Sequence, residues 1–200
     1  MSNGSAHANG NFTNKSGASS LSVGSTISAH GDADLGIGGG QSNVDRIDVP
    51  SASDYINENK DKAGVIHGCT IPSGDLDGNV YFCEGDASTS GDFSNGTIMA
   101  IGDVAQNGSA HLGGDSGTTL TVAIIAGGNI TVNGSNDTYG VFWADGTVTQ
   151  NGSSILGGSI VARGDITRNG AFNYVQYDDF GELPLPVGGT AIQRWVEIIN

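Results

Sequence analysis

The chain has 200 residues, with 7 Lys and Arg against 21 Asp and Glu, and a net charge of −14. So few cations cannot form the basic patch that nucleic acid or an anionic membrane surface requires, which excludes those partners and leaves cations, cationic proteins and neutral glycans. Glycine is abundant, at 34 residues, but it is phased with Val and Ile rather than scattered, which argues for an ordered chain and a single domain over residues 1–200.

In chain order, the first features are two degenerate copies of one motif, Ala8-Asn-Gly10-Asn-Phe12 and Ala29-His-Gly31-Asp-Ala33, 21 residues apart. From about 36 to 95 the motif stops, and this stretch reads as an insertion. Within it, residues 54 to 62 have the pattern of a short helix, with Ser51 or Ser53 as N-cap and Gly64 as the stop. Cys69 and Cys83 lie close together in a segment with little core of its own, so a local disulfide is expected, with two free thiols as the alternative. Between them, Asp75, Asp77 and Asn79 place oxygen ligands on alternate residues, a weak calcium candidate. The segment lacks the glycine and the terminal glutamate of a helix-loop-helix calcium loop, and a turn explains the same residues.

The repeat then becomes explicit. It reads Ala100-Ile-Gly-Asp-Val-Ala-Gln-Asn-Gly108, Ala126-Gly-Gly-Asn-Ile-Thr-Val-Asn-Gly134, Ala144-Asp-Gly-Thr-Val-Thr-Gln-Asn-Gly152 and Ala162-Arg-Gly-Asp-Ile-Thr-Arg-Asn-Gly170. The lead glycines, Gly102, Gly128, Gly146 and Gly164, are 26, 18 and 18 residues apart. A short fixed period built of strand-like triplets and Asn-Gly turns predicts an all-β solenoid with coils of about 18 residues. With alternating side chains, the columns four before, two before and two after the lead glycine point inward: Ile98, Ile124, Phe142, Ile160; Ala100, Ala126, Ala144, Ala162; Val104, Ile130, Val148, Ile166. Stacking the turns also predicts an amide ladder through Asn107, Asn133, Asn151 and Asn169.

At the opposite parity, Asp103/Ala105, Asn129/Thr131, Thr147/Thr149 and Asp165/Thr167 form a solvated polar face. Met99, Ile125, Trp143 and Val161 also point outward, and an apolar column of this size requires a cover. The cover is either the chain's own insertion or termini, or a partner, so these four residues are candidate interface positions. After Gly170 the aromatics Phe172, Tyr174, Tyr177 and Phe180, then Pro184-Leu-Pro186 and a strand over 192 to 199, read as a C-terminal cap over about 171–200.

Catalytic constellations are sparse. Asp103 and Asp165 share a column but sit about 14 Å apart at ordinary strand spacing, beyond the roughly 5 to 9.5 Å of a glycosidase pair. Asp145 and Asp165 are on adjacent coils at different positions, a pattern of solvated carboxylates. His7, His30, His67 and His111 lack metal-ligand spacing, although His7 and His30 fall on adjacent coils. The Thr131, Thr149, Thr167 column raises ice binding, but only Thr147 and Thr149 form a Thr-x-Thr pair, and strand propensity also explains the threonines.

Four stretches carry a family resemblance: Ala8-Asn-Gly-Asn-Phe12, Ile47-Asp-Val-Pro50 followed by Asp54-Tyr55, Ile160-Val-Ala-Arg-Gly-Asp-Ile166, and Trp195-Val-Glu197. Together the chain resembles the ectodomain of PilX-type pilus-assembly proteins, minor-pilin-like components of bacterial type IV pili. The resemblance implies a non-enzymatic structural or adhesive component of a surface filament, contacting other pilus subunits or a surface ligand. It places the protein outside the cell or at its surface, and in the periplasm before assembly. The family's N-terminal anchoring helix is not present: no apolar run reaches the roughly 18 residues of a membrane span, and Met1-Ser-Asn-Gly4 reads as a start from which an export or anchor segment has been cut. The alternative function is an extracellular carbohydrate-active or carbohydrate-binding β-helix, or an ice-binding solenoid. A carboxylate cluster in a cleft would favour the enzyme, and a regular Thr face would favour ice.

Overall fold

The computed structural model describes residues 5–15, 20–21, 26–35, 40–46, 48–108, 112–113, 121–134, 137–152, 154–170 and 172–175. The elements in chain order are β1 (Ser5–Ala8), β2 (Phe12–Asn14), β3 (Ser20–Leu21), β4 (Thr26–Ala29), β5 (Ala33–Asp34) and α1 (Ala52–Asn59). Then come β6 (Val65–His67), β7 (Gly74–Cys83), β8 (Ala87–Ser90), β9 (Phe93–Ala100), β10 (Val104–Asn107), β11 (Val122–Ala126) and β12 (Ile130–Asn133). The last are β13 (Thr138–Ala144), β14 (Val148–Asn151), β15 (Ser154–Ala162), β16 (Ile166–Asn169) and β17 (Phe172–Val175).

All pairings are parallel and stack the strands into a β-solenoid. One seven-stranded sheet runs β5-β2-β16-β14-β12-β10-β8, and each of its strands belongs to one rung of the coil. The rungs do not follow the chain. The N-terminal pair β1 and β2 stacks on β15 and β16, and β4 and β5 stack beyond it, so the start of the chain closes the end reached by its last repeats. The backbone treats this non-sequential junction like every other one. Each lead glycine N–H donates to the carbonyl of the lead glycine before it: Gly102 to Gly85 at 3.0 Å, Gly128 to Gly102 at 3.0 Å, Gly146 to Gly128 at 2.9 Å and Gly164 to Gly146 at 2.9 Å. The line continues from Gly10 to Gly164 at 3.1 Å and from Gly31 to Gly10 at 2.9 Å.

The residue after the lead glycine explains why the motif is Gly-Asp or Gly-Asn. Asp86 Oδ1 accepts the Asp103 N–H at 2.8 Å, and Asp103 Oδ1 accepts that of Asn129 at 2.7 Å. Asn129 Oδ1 accepts both the N–H and the hydroxyl of Thr147 at 2.9 Å. Across the chain break, Asp165 Oδ1 accepts the Asn11 N–H at 2.7 Å, and Asn11 Oδ1 accepts that of Asp32 at 3.0 Å. The accepting oxygen lies where the next lead glycine would carry a Cβ, since a Cβ on Gly102, Gly128, Gly146, Gly10 or Gly31 would collide with Asp86, Asp103, Asn129, Asp165 or Asn11 respectively. Alanine is therefore excluded from these positions by contact, not by backbone angle.

The interior is filled by the columns expected from alternation: Ile98, Ile124, Phe142 and Ile160 with the alanine and Val/Ile columns, each at most 3% exposed. The stretch 36–95 is only partly an excursion. Cys83-Glu-Gly85-Asp-Ala87 is a further copy of the motif with Cys in place of Ala, and β7 and β8 build a full rung on β9 and β10. Cys69 and Cys83 form the disulfide and tie the end segment to that rung. Constraint of a loop this short contributes about 3 kcal/mol in the chain-entropy account. The helix begins at Ala52 with Ser51 as N-cap, and Gly64 beyond it has φ +86°. Of the expected C-terminal cap, only β17 is within the described residues, so Pro184-Leu-Pro186, Trp195 and the strand over 192–199 lie outside them.

The helix settles what covers the outward apolar column. Met99, Ile125, Trp143 and Val161 are 0, 0, 3 and 6% exposed, packed with Val49, Ala52, Tyr55 and Ile56 of α1 and its approach. Their place as candidate interface residues is corrected accordingly: the seam is internal, and no surface remains there for a neighbouring subunit. Tyr55 packs on Trp143 with ring centroids 5.3 Å apart. This burial pushes the Tyr55 hydroxyl pKa up to about 12. Ile125→Ala is expected to cost about 2–5 kcal/mol in urea unfolding. A change within about 0.5 kcal/mol would show the site to be surface-like.

Candidate functional site

The seven-stranded sheet presents one continuous outer face. Its register is unbroken from β8 to β5, so residues three and five after each lead glycine line up in two columns. The first column is Ser88, Ala105, Thr131, Thr149, Thr167 and Thr13, ending at Asp34. The second is Ser90, Asn107, Asn133, Asn151 and Asn169, with Lys15 following Asn14 at the same edge. Repeats along the axis are about 4.8 Å and along a strand roughly 6.7 Å. From Ser88 to Thr167 and from Ser90 to Asn169 neither column holds a charged residue, in a chain with 7 Lys and Arg and 21 Asp and Glu; Lys15 follows in the rung of Thr13 and Asp34 in the last rung.

The second column is held rigid by its own amides. Asn169 Nδ2 donates to Asn151 Oδ1 at 2.8 Å, Asn151 to Asn133 at 2.7 Å, and Asn133 to Asn107 at 3.0 Å; Asn107 donates to Ser88 Oγ at 3.1 Å. All donors point the same way along the axis. Behind the face, the inward position between the two columns is polar in five of seven rungs, where Thr89, Gln106, Gln150, Arg168 and Asn14 are each at most 4% exposed, and is apolar at Val132 and Leu35. Arg168 donates from Nη1 to Gln150 Oε1, and burial lowers its guanidinium pKa to about 10. Gln106 Nε2 binds the carbonyls of Asn107 and Gly108 at 3.3 and 3.1 Å, so the polar interior braces the turns.

The polar pair read from the sequence thus needs re-sorting. Asp103, Asn129, Thr147 and Asp165 sit at the corner and serve rung-to-rung bonding, while the face is made of the Thr and Asn columns. The Asn ladder was legible from the turns, but its membership of the same face as the threonines was not. The buried Gln106, Gln150 and Arg168 were missed because their polarity hid an inward parity that the period of two already gave.

The other candidates are committed elsewhere. Asp75 Oδ1 accepts from Asp77 N–H at 2.8 Å and Asn95 Nδ2 at 3.1 Å, and Asn79 Nδ2 donates to the Leu76 carbonyl at 2.8 Å. These residues form a bulge in β7, with Asp77 at φ +53°, rather than a converging oxygen set, and no group of three or more acidic, His or Cys side chains suited to a metal occurs among the described residues. His7 is 2% exposed, with Nδ1 2.8 Å from Ser28 Oγ and Nε2 3.0 Å from Asn9 Oδ1. Its pKa is lowered by burial, against the Asn9 bond, and further by His30. Asp165 is bound to Asn11, so it forms no pair with Asp145.

Asp145 anchors the helix. It accepts the Ser51 hydroxyl at 2.8 Å, the Ala52 N–H at 2.8 Å and the Ser53 N–H at 2.9 Å, and Arg163 lies 3.7 Å away. Burial raises its pKa, but the bonds from Ser53, Ala52 and Ser51 outweigh it, leaving the carboxyl below its ordinary value.

The sequence matches no protein-family model and no curated protein. Solved structures share the fold. An ice-binding protein from an Arctic yeast aligns with 86% of this chain and 90% of its own at 14% identity and TM-score 0.61. One from the Antarctic ascomycete Antarctomyces psychrotrophicus aligns over 87 and 94% at 14% identity and TM-score 0.63. The DUF3494 domain of Shewanella frigidimarina ice-binding protein 1 aligns over 86 and 92% at 12% identity and TM-score 0.58. These findings overturn the resemblance to PilX-type pilus proteins, since the structural neighbours are ice-binding proteins, not pilins. The quoted Ala-x-Gly-Asp stretches are what the coil corner requires, and such composition recurs without common function.

Asp145→Asn tests the anchor. Because the folded pKa is depressed, the carboxylate's stabilisation is complete above about pH 4 and is lost as pH falls through the lowered value. The variant is expected to lose about 1 kcal/mol near neutral pH. Urea midpoints of the two proteins should converge in strong acid; a gap that persists there would refute the charge-based anchor.

Proposed function

We propose that this protein is a non-enzymatic, extracellular ice-binding solenoid, and that it binds ice through the outer face of the seven-stranded sheet. The observation that carries this reading is the uncharged double column of Ala105, Thr131, Thr149 and Thr167 beside Asn107, Asn133, Asn151 and Asn169, in unbroken register. Strongly hydrated ions hold their water too firmly to merge with a crystal, whereas hydroxyls and amides exchange hydrogen bonds with it at little cost. Fixed repeats of about 4.8 and 6.7 Å let many weak contacts form together, and the rigid ladder means little side-chain entropy remains to be lost on binding. The Thr methyl groups add apolar surface between the polar points. The ice-binding function of the neighbours supports the reading, and the disulfide suits an oxidising compartment outside the cytosol.

The test is partition into slowly growing ice together with the gap between melting and freezing points. The wild-type chain is expected to enrich in the ice and to hold the freezing point below the melting point. Thr149→Tyr, at the middle of the face, should lose most of both effects with an unchanged circular dichroism spectrum. Glu58→Tyr, on the exposed side of α1, should keep them. A wild-type protein excluded from ice would end this reading.

A further inference from the structure

We propose that Asn107-Gly108 and Asn169-Gly170, the turns at the two ends of the amide ladder, are sites of spontaneous deamidation in the folded protein, and that stacking protects the interior turns Asn133-Gly134 and Asn151-Gly152. The inference does not depend on what the face binds. The chemistry requires a glycine main-chain nitrogen that can give up its proton to hydroxide and attack the preceding Asn Cγ. A new C–N bond closes a succinimide ring as the Cγ–Nδ2 bond breaks, and the amide nitrogen leaves as ammonia with protons from water. Water then opens the ring at either carbonyl to give aspartate or isoaspartate, with no change of oxidation state.

In the interior turns the nucleophile is occupied. The Gly134 N–H donates to the Asn151 carbonyl at 3.0 Å, and the Gly152 N–H donates to that of Asn169 at 2.8 Å. Their Asn side chains are held on both sides, as that of Asn107 is by Ser88 and Asn133, so at Asn107 the difference lies in the main-chain nitrogen alone. Two further described Asn-Gly pairs, one at the corner after β1 and one within β9, are covered in the same way, with the Gly10 N–H bound to Gly164 at 3.1 Å and the Gly96 N–H to Thr121 at 2.9 Å. Among the described residues, the N–H groups of Gly108 and Gly170 make no hydrogen bond. Asn107 and Gly108 are exposed, with Gly108 at φ +92° and open space around its Cα.

The two gaps fall where the regular succession of coils is interrupted. After Gly108 the chain inserts extra residues, since the lead glycines here are 26 rather than 18 apart. Beyond Asn169 the next rung comes from the N-terminus, and the registered pairing stops at Arg168 with Asn14. The consequences differ because the ladder is polar. An aspartate at 107 still accepts from Asn133, and the Ser88 hydroxyl can turn to donate to it. An aspartate at 151 sets a carboxylate against Asn133 Oδ1 and removes a donor.

Incubation of the intact protein at mildly alkaline pH, followed by peptide mapping with mass spectrometry, tests this. Asn107 and Asn169 are expected to gain one mass unit on the order of tenfold faster than Asn133 and Asn151, the ratio set by opening a protecting hydrogen bond. In the urea-unfolded chain the four rates should converge. Equal rates in the folded protein, or faster loss from the interior, would overturn the proposal. Asn107→Asp should leave the unfolding midpoint unchanged while Asn151→Asp lowers it; equal destabilisation by the two would refute the polarity of the ladder.

Discussion

One contact recurs at nearly every rung junction of this solenoid: a carboxylate or amide oxygen of one coil accepts the N–H of the equivalent residue in the next, in the space left by a glycine without a Cβ. It couples two requirements that would otherwise conflict. Parallel strands must approach to about 4.8 Å, and the corner N–H groups, turned away from both sheets, must still find acceptors. The Gly-Asp/Asn dipeptide meets both with two residues, and the unbroken line of glycine hydrogen bonds fixes the axial register on which the face and the core depend. A slip of one residue would exchange the isoleucine columns with the threonines.

On that frame the two long faces are used in opposite ways. One carries large apolar side chains on the outside and is sealed by α1, whose N-terminal N–H groups are held by Asp145 from the coil beneath. The fit is close: a Cβ on Gly127 would meet Ser53 Oγ at 2.7 Å. The other face carries uncharged short side chains, has no cover among the described residues, and is stiffened from within by buried Gln and Arg side chains and from without by the Asn ladder. Acidic corner residues flank it, so the chain's strong negative charge is displaced from the face itself.

Much of the coil was legible from the repeat, because strand alternation and corner stereochemistry act within one rung: the inward Ile, Ala and Val columns and the Asn ladder follow from position alone. The motif at Gly85 is hidden in the sequence because Cys83 replaces its alanine, and Asp75, Asp77 and Asn79 leave a turn and a calcium loop both open there because the two use the same small polar residues. The sequence leaves open whether the apolar column Met99, Ile125, Trp143 and Val161 is covered by the chain's own insertion or by a partner, and the cover is a helix of that insertion.

By itself, then, the sequence determined the solenoid, its period, its core and the residues that can point outward, since all of these follow from local chain geometry. Only the tertiary structure decided the order of the rungs and the fate of each face. Every rung offers the same hydrogen-bonding edge, so nothing local states that Gly10 stacks on Gly164 rather than ahead of Gly102. That choice sends the segment after β5 back along the solenoid, where α1 docks on the apolar column. One outward surface is thereby buried in the molecule, and the Thr and Asn columns are left as the regular face toward water.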